Sequence, residues 1–169
     1  MKKWNYLLVP ILVLGLAVSF TGCSKDEDKT TTPSEQTIEE QLVGEWLSAG
    51  SNVAPLLVAL FSYDSVLVTF GSDNTVTLNS HVADGAWSGE LSGVFSVTES
   101  DTGSIHAISL NYTAFEQEGI IQLSSDGASF QLEVVQTVPG IGATVPTPEA
   151  GFGADVALGT MNIQTYVKQ

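Results

Sequence analysis

Between Val66 and Gln136 the chain alternates apolar and polar residues in short runs, and each run stops at a cluster of Gly, Asn, Asp or Ser. Successive side chains of a strand point to opposite faces, so a short alternating run bounded by turn residues marks a strand with one buried face. Val66, Val68 and Phe70 share a face, Gly71-Ser72-Asp73-Asn74 turns the chain, and Val76 and Leu78 share a face of the returning strand. Leu91, Gly93, Phe95 and Val97 mark a further strand, and His106, Ile108, Leu110 and Tyr112 the next. Ile121 and Leu123 follow, then a Ser125-Asp126-Gly127 turn, then Phe130, Leu132, Val134 and Gln136 on one more strand. With a first strand over Val43–Ser48 and a last near Met161–Lys168, the count reaches about eight, joined mostly by short polar turns. Helices are too few for an alternating α/β fold. The spacing predicts an all-β chain, an antiparallel up-and-down β-barrel or a sandwich.

Three segments depart from that alternation. Thr37-Ile38-Glu39-Glu40 places an acidic residue three positions after a capping threonine, which suits a short helix ending near Leu42. From Val53 to Tyr63, Leu56, Leu57, Leu60 and Phe61 recur at helical spacing behind Pro55, which fits a first helical turn. This stretch reads as a short amphipathic helix or lid, or as an irregular apolar crossover that plugs one end of the core. Pro139 to Gly159, with Pro146-Thr147-Pro148-Glu149 and Phe152, is long for a structureless connection. It reads as a binding loop or as a segment packed across a barrel opening.

The chain has 169 residues, enough for one ordinary domain with a core. Its 19 acidic residues face 5 basic ones, all lysine, for a net charge of -14. Nothing in the body can neutralise phosphates, which excludes nucleic-acid partners. Met1-Lys2-Lys3 and the apolar run from Tyr6 to Val18 read as a secretory signal, since the run contains Pro10 and Gly15 and is short for a span. The run ends in Phe20-Thr21-Gly22-Cys23, which resembles the lipobox of bacterial lipoproteins, with Phe20 where leucine is usual. The resemblance implies cleavage before Cys23 and acylation of its thiol, which also accounts for a single cysteine in a disulfide-permissive compartment. Ser24-Lys25-Asp26-Glu27, continuing into Asp28-Lys29, resembles the surface-export signal of some Gram-negative lipoproteins, and otherwise reads as a solvated linker. The expected organisation is a signal peptide over 1–22, a lipidated cysteine and disordered tether over 23–37, and a barrel domain over 38–169.

A short helix, Gly44-Glu45-Trp46 at the start of the first strand and a meander of about eight strands together resemble the lipocalin-like domains of bacterial lipoproteins. Val68-Thr69-Phe70, Asp73-Asn74-Thr75-Val76-Thr77 and Ser92-Gly93-Val94-Phe95-Ser96-Val97 carry the same resemblance over residues 38–138. It implies that Gly44 and Trp46 close one barrel end. In true lipocalins an arginine stacks on this tryptophan, and this chain has none.

Reactive constellations are sparse. His81 and His106 are the only residues suited to act as a base or metal ligand near neutral pH, and they lie on separate strands. His106 shares its strand face with Ile108 and Leu110, as a ligand contact or a satisfied barrel histidine. No Gly-x-Ser-x-Gly elbow occurs, and the Gly140/Gly142 and Gly151/Gly153 pairs lack a following helix and a lysine. Calcium is the one cofactor the charge makes reasonable, through acidic turns such as Asp73-Asn74 and Asp126-Gly127, but no EF-hand spacing is present. No resident cofactor and no catalytic function are expected. Trp87, in a turn, is either an aromatic contact at the barrel mouth or a side chain folded over a barrel end; Phe152 is a further candidate mouth contact.

These readings converge on an outer-membrane, surface-exposed lipoprotein, or one on the periplasmic face, whose partners are the bilayer and a small apolar or amphipathic ligand. The alternative is a packed barrel that acts as a structural or protein-interaction module. The inward set Val68, Phe70, Val76, Leu78, Phe95, Val97, Ile108, Leu110, Leu132 and Val134 is apolar and large enough to fill a small barrel. A cavity of several hundred cubic ångströms would reverse that preference, at the ~300–1,000 Å³ of ligand sites.

Overall fold

The structure, a computed structural model, describes residues 36–101 and 103–169. Cys23 and Ser24-Lys25-Asp26-Glu27 lie outside the described residues, as do the expected signal peptide and nearly all of the tether.

Eight antiparallel strands close into one up-and-down barrel. They are β1 (Gly44–Ala49), β2 (Tyr63–Phe70), β3 (Thr75–Val82), β4 (Leu91–Thr98), β5 (His106–Tyr112), β6 (Glu116–Leu123), β7 (Ser129–Val138) and β8 (Ile163–Lys168). Each pairs with its neighbour in sequence, and β8 returns to β1 through Trp46 opposite Lys168 and Leu47 opposite Val167. Every strand has a strand partner on both sides, which removes the long unpaired edge that templates edge-to-edge association. The predicted inward residues all belong to the core or pack against it.

Glycine lets the wall bend where strands approach most closely. A Cβ at Gly119 would run into the backbone carbonyl of Glu133 on β7, so this β6 position admits no side chain without movement of the sheet.

Helix α1 (Ile38–Leu42) caps one end. Thr37 and Glu40 form a reciprocal capping box, which satisfies two backbone donors of the first turn. The helix is held to the barrel by donors that the sheet leaves unused. Past Val94 strand β4 outruns β3, and the Val97 N–H donates to the Glu39 carboxylate at 2.9 Å. Ile38 N in turn donates to Glu99 at 2.7 Å, and Leu42 is fully buried.

The segment from Val53 to Tyr63 resolves as the helix α2 (Pro55–Phe61), with Pro55 in the first turn and Ser62 in a left-handed conformation at its end. Buried Val53 and Ala54 anchor it, while Leu60 and Phe61 stay largely exposed at the opposite end of the barrel from α1.

The connection from Pro139 to Gly159 lies on the outer wall and not across the barrel opening. Glu133 and Val135 on β7 and Ile120 on β6 point outward, between inward neighbours, and yet are buried. The connection covers them as a strap on the outer wall, where Gly153 N donates to the Glu133 carboxylate at 2.8 Å and Val145–Pro148 run beside Ser96, Ser109 and Glu118. A 3-10 turn, Gly159–Asn162, then brings the chain back to the rim beside α2. The strap, both helices and all strands lie in one compact unit, Glu35–Gln169, that holds every element its core needs.

Candidate functional site

The barrel is filled at one end and hollow at the other. Near α1, Trp46 meets the Phe130 ring edge-on at 4.8 Å, Phe130 stacks on Tyr166 at 4.8 Å, and Phe70 meets Phe95 edge-on at 4.7 Å. Offset and edge-to-face pairs of this kind add to the burial of large rings. Trp46 is fully buried, and its indole N–H donates to the Leu42 carbonyl at 2.6 Å, which fixes α1 as the floor. Gly44, at φ +131, sits in the left-handed half of backbone space that its lack of a side chain permits.

A lysine covers the Trp46 ring. Lys168 Nζ lies 4.9 Å from the centre of the Trp46 ring and donates to the Gln41 carbonyl at 3.4 Å. Lys168 is thus a cation over the ring face at the sealed end of the barrel. Sequence spacing gave no sign of it, because the pair forms only when β8 closes on β1.

Beyond the Phe70 and Tyr166 rings lies a cavity of about 360 Å³. Its wall is formed by Val66, Val68, Phe70, Leu78, Leu91, Leu110, Leu132 and Val134, and its mouth by Leu57 and Phe61 of α2 together with Phe115 and Ser88-Gly89. Six of the ten residues expected to fill the barrel line this space without filling it, and the other four, Val76, Phe95, Val97 and Ile108, pack in the core outside it. No Asp, Glu, Lys or His side chain faces the cavity. This neutrality stands against a shell in which residues 36–169 carry fifteen carboxylates and a single lysine.

Polar groups reach the cavity at a few points. Asn162 donates to the Val134 carbonyl at 2.6 Å and Gln136 to the Pro139 carbonyl at 2.9 Å, so those amides have protein partners. Tyr112 and Gln164 differ. Both are more than nine-tenths buried, and the Tyr112 hydroxyl and Gln164 Nε2 have no hydrogen-bond partner. Burial pushes the Tyr112 and Tyr166 hydroxyls well above the ordinary tyrosine value, so both stay protonated.

None of the three residues expected as ligand or mouth contacts is in the cavity lining. Trp87 is 46% exposed on the β3–β4 connection, bridges His81 and lies with its ring 5.2 Å from the imidazole, outside the cavity wall. His106 does share the inward face with Ile108, but at the floor end, where its Nδ1 accepts from Ser100 N at 3.0 Å. Phe152 belongs to the strap on the outer wall. Alternation places a residue inside or outside, and it carries no information about height in the barrel. The Asp73 and Asp126 carboxylates accept from Thr75 and Ser124 hydroxyls at 2.6 Å and brace their own turns. Among the described residues no cluster of His, Cys, Asp and Glu is arranged to hold a metal ion.

The fold and cavity define a class, a small closed antiparallel barrel with one sealed end and one hollow end. Compared with protein-family models, curated proteins and solved structures, the chain finds no match in any of the three.

Proposed function

We propose that this chain is a lipid-anchored, surface-exposed lipoprotein of the outer membrane whose lipocalin-like barrel binds a small apolar or amphipathic ligand. The observation that carries the binding reading is the 360 Å³ of apolar, uncharged space between the aromatic floor and α2. It falls in the range of ~300–1,000 Å³ typical of small-molecule sites. A core that merely lacked packing would lose stability for each unfilled ångström of wall, so a void of this size has a cost that a ligand offsets. At roughly 30 Å³ per non-hydrogen atom it accommodates about a dozen. The anchoring reading rests on Phe20-Thr21-Gly22-Cys23 and the acidic segment behind it. The size of the cavity favours a binding module over a packed interaction module.

Native mass spectrometry of the protein released from its host membrane tests the binding reading. A mass excess that disappears on denaturation is expected, and it should be absent from Leu78→Trp, in which an indole enters the cavity beside Leu91. A bare mass in the host-purified protein, together with no uptake of any hydrophobic fluorophore, rejects it. For the anchor, Cys23→Ser should abolish incorporation of labelled fatty acid; continued incorporation rejects acylation at that residue.

A further inference from the structure

The two unpartnered polar groups in the cavity wall bear on what the ligand must carry. Gln164 Nε2 is a donor only, and the protonated Tyr112 hydroxyl has a hydrogen to give. An apolar ligand would seal both away from water with nothing to accept from them, the unfavourable case for any buried polar group. An anion would enter a wall that offers no cation, since the only lysine among the described residues lies over Trp46 on the far side of the aromatic floor. A buried charge without a partner is strongly disfavoured, and the acidic shell repels anions before they arrive. A cationic head would find no carboxylate in the wall to pair with and would face the Tyr112 and Gln164 hydrogens.

Resting on the binding function proposed above, we infer that the ligand is a neutral, mainly aliphatic molecule with a carbonyl-type acceptor, a ketone, aldehyde or ester, whose oxygen accepts from the Tyr112 hydroxyl and the Gln164 amide. The carbon chain then lies against Leu110, Leu132 and Phe70, all of which face the same cavity. Tyr112 and Gln164 set selectivity, and the aliphatic wall sets most of the affinity.

The test uses the barrel, residues 36–169, and four probes matched in non-hydrogen atoms: n-dodecane, methyl nonyl ketone, decanoate and undecylamine. Each displaces the small neutral fluorophore 1-naphthylamine, which fits the same space. The ketone should bind about tenfold more tightly than the alkane for each hydrogen bond gained, and more tightly than either charged probe. In the double variant Tyr112→Phe/Gln164→Met the ketone should fall to the alkane's affinity, while the alkane binds at least as well as before. Equal binding of ketone and alkane to the native barrel overturns the acceptor inference and leaves the binding function standing. Tightest binding by decanoate or undecylamine also overturns it, in favour of a charged ligand. Failure of the fluorophore and all four probes to bind overturns the binding function itself and this inference with it.

Discussion

His81 is a residue whose role depends on a partner that the alternation conceals. The β2–β3 register shifts between Tyr63 and Ser65, so Asp64 bulges out of the ladder and is aimed at the imidazole. His81 Nδ1 lies 2.7 Å from Asp64 Oδ1, and Nε2 lies 3.2 Å from the Gly85 carbonyl. Both partners are acceptors, a demand that only the doubly protonated ring meets. The Asp64 hydrogen bond raises His81 above its ordinary 6.5, against some desolvation, and the reciprocal bond lowers Asp64 below its ordinary 3.8. A raised histidine contributes fully below its unfolded value and loses that contribution as pH rises through the folded one. A depressed carboxylate contributes above its unfolded value and loses it as pH falls. The tie between β2, β3 and the loop carrying Trp87 is therefore complete from about pH 4 to about pH 6.5 and slackens on either side. In a proton NMR titration His81 should lose its proton at a higher pH in the native protein than in Asp64→Asn. Coincident midpoints would mean that the pair does not form in solution. The histidine itself was legible in the sequence; its partner, seventeen positions earlier, depends on a bulge, which leaves no mark in a period of two.

At the scale of elements, the strands were nearly all legible and the strap was not. Each strand follows from a run of alternating residues between turn formers, and α2 follows from helical spacing behind Pro55. The strap is irregular, and where it goes is decided by the outer wall of β6 and β7. A signal for it did exist: Ile120-Ile121 and Val134-Val135 are adjacent apolar pairs, which a strand needs only where both of its faces are covered. The cavity was illegible for a related reason, because side-chain volumes can be listed from a sequence while the barrel radius they must fill cannot. Glu133 fastens the strap, since it is 1% exposed and accepts the Gly153 N–H. Glu133→Ala should cost about 1–3 kcal/mol in urea unfolding and make residues 139–159 more susceptible to protease, with ligand affinity unchanged. Glu133→Gln, which keeps an acceptor, should lose less. Equal protease resistance in the alanine variant would show that apolar contacts alone hold the strap.

For the molecule as a whole, fifteen carboxylates and one lysine over residues 36–169 make the outer surface a field of one sign. Self-repulsion of that kind weakens the compact state and yields to salt. Raising ionic strength from about 0.01 M to about 0.1 M shortens the screening length from roughly 30 Å to roughly 10 Å. The thermal midpoint should rise by a few degrees, the response to about 1 kcal/mol. A flat or falling midpoint would show that the carboxylates are already too well hydrated to repel one another appreciably. The division of the barrel into a sealed half and a hollow half has a further effect through the route of the chain. Both ends of the barrel domain leave from the floor, where Gln169 N donates to the Glu45 carbonyl at 3.0 Å beside the start of β1. A short peptide could join them, and new termini could be cut at a rim turn, giving a circular permutant with every strand pair intact. The same arrangement separates closure of the ring from access to its interior. The rim loops can lengthen, shorten or be exchanged without disturbing the seam where β8 meets β1.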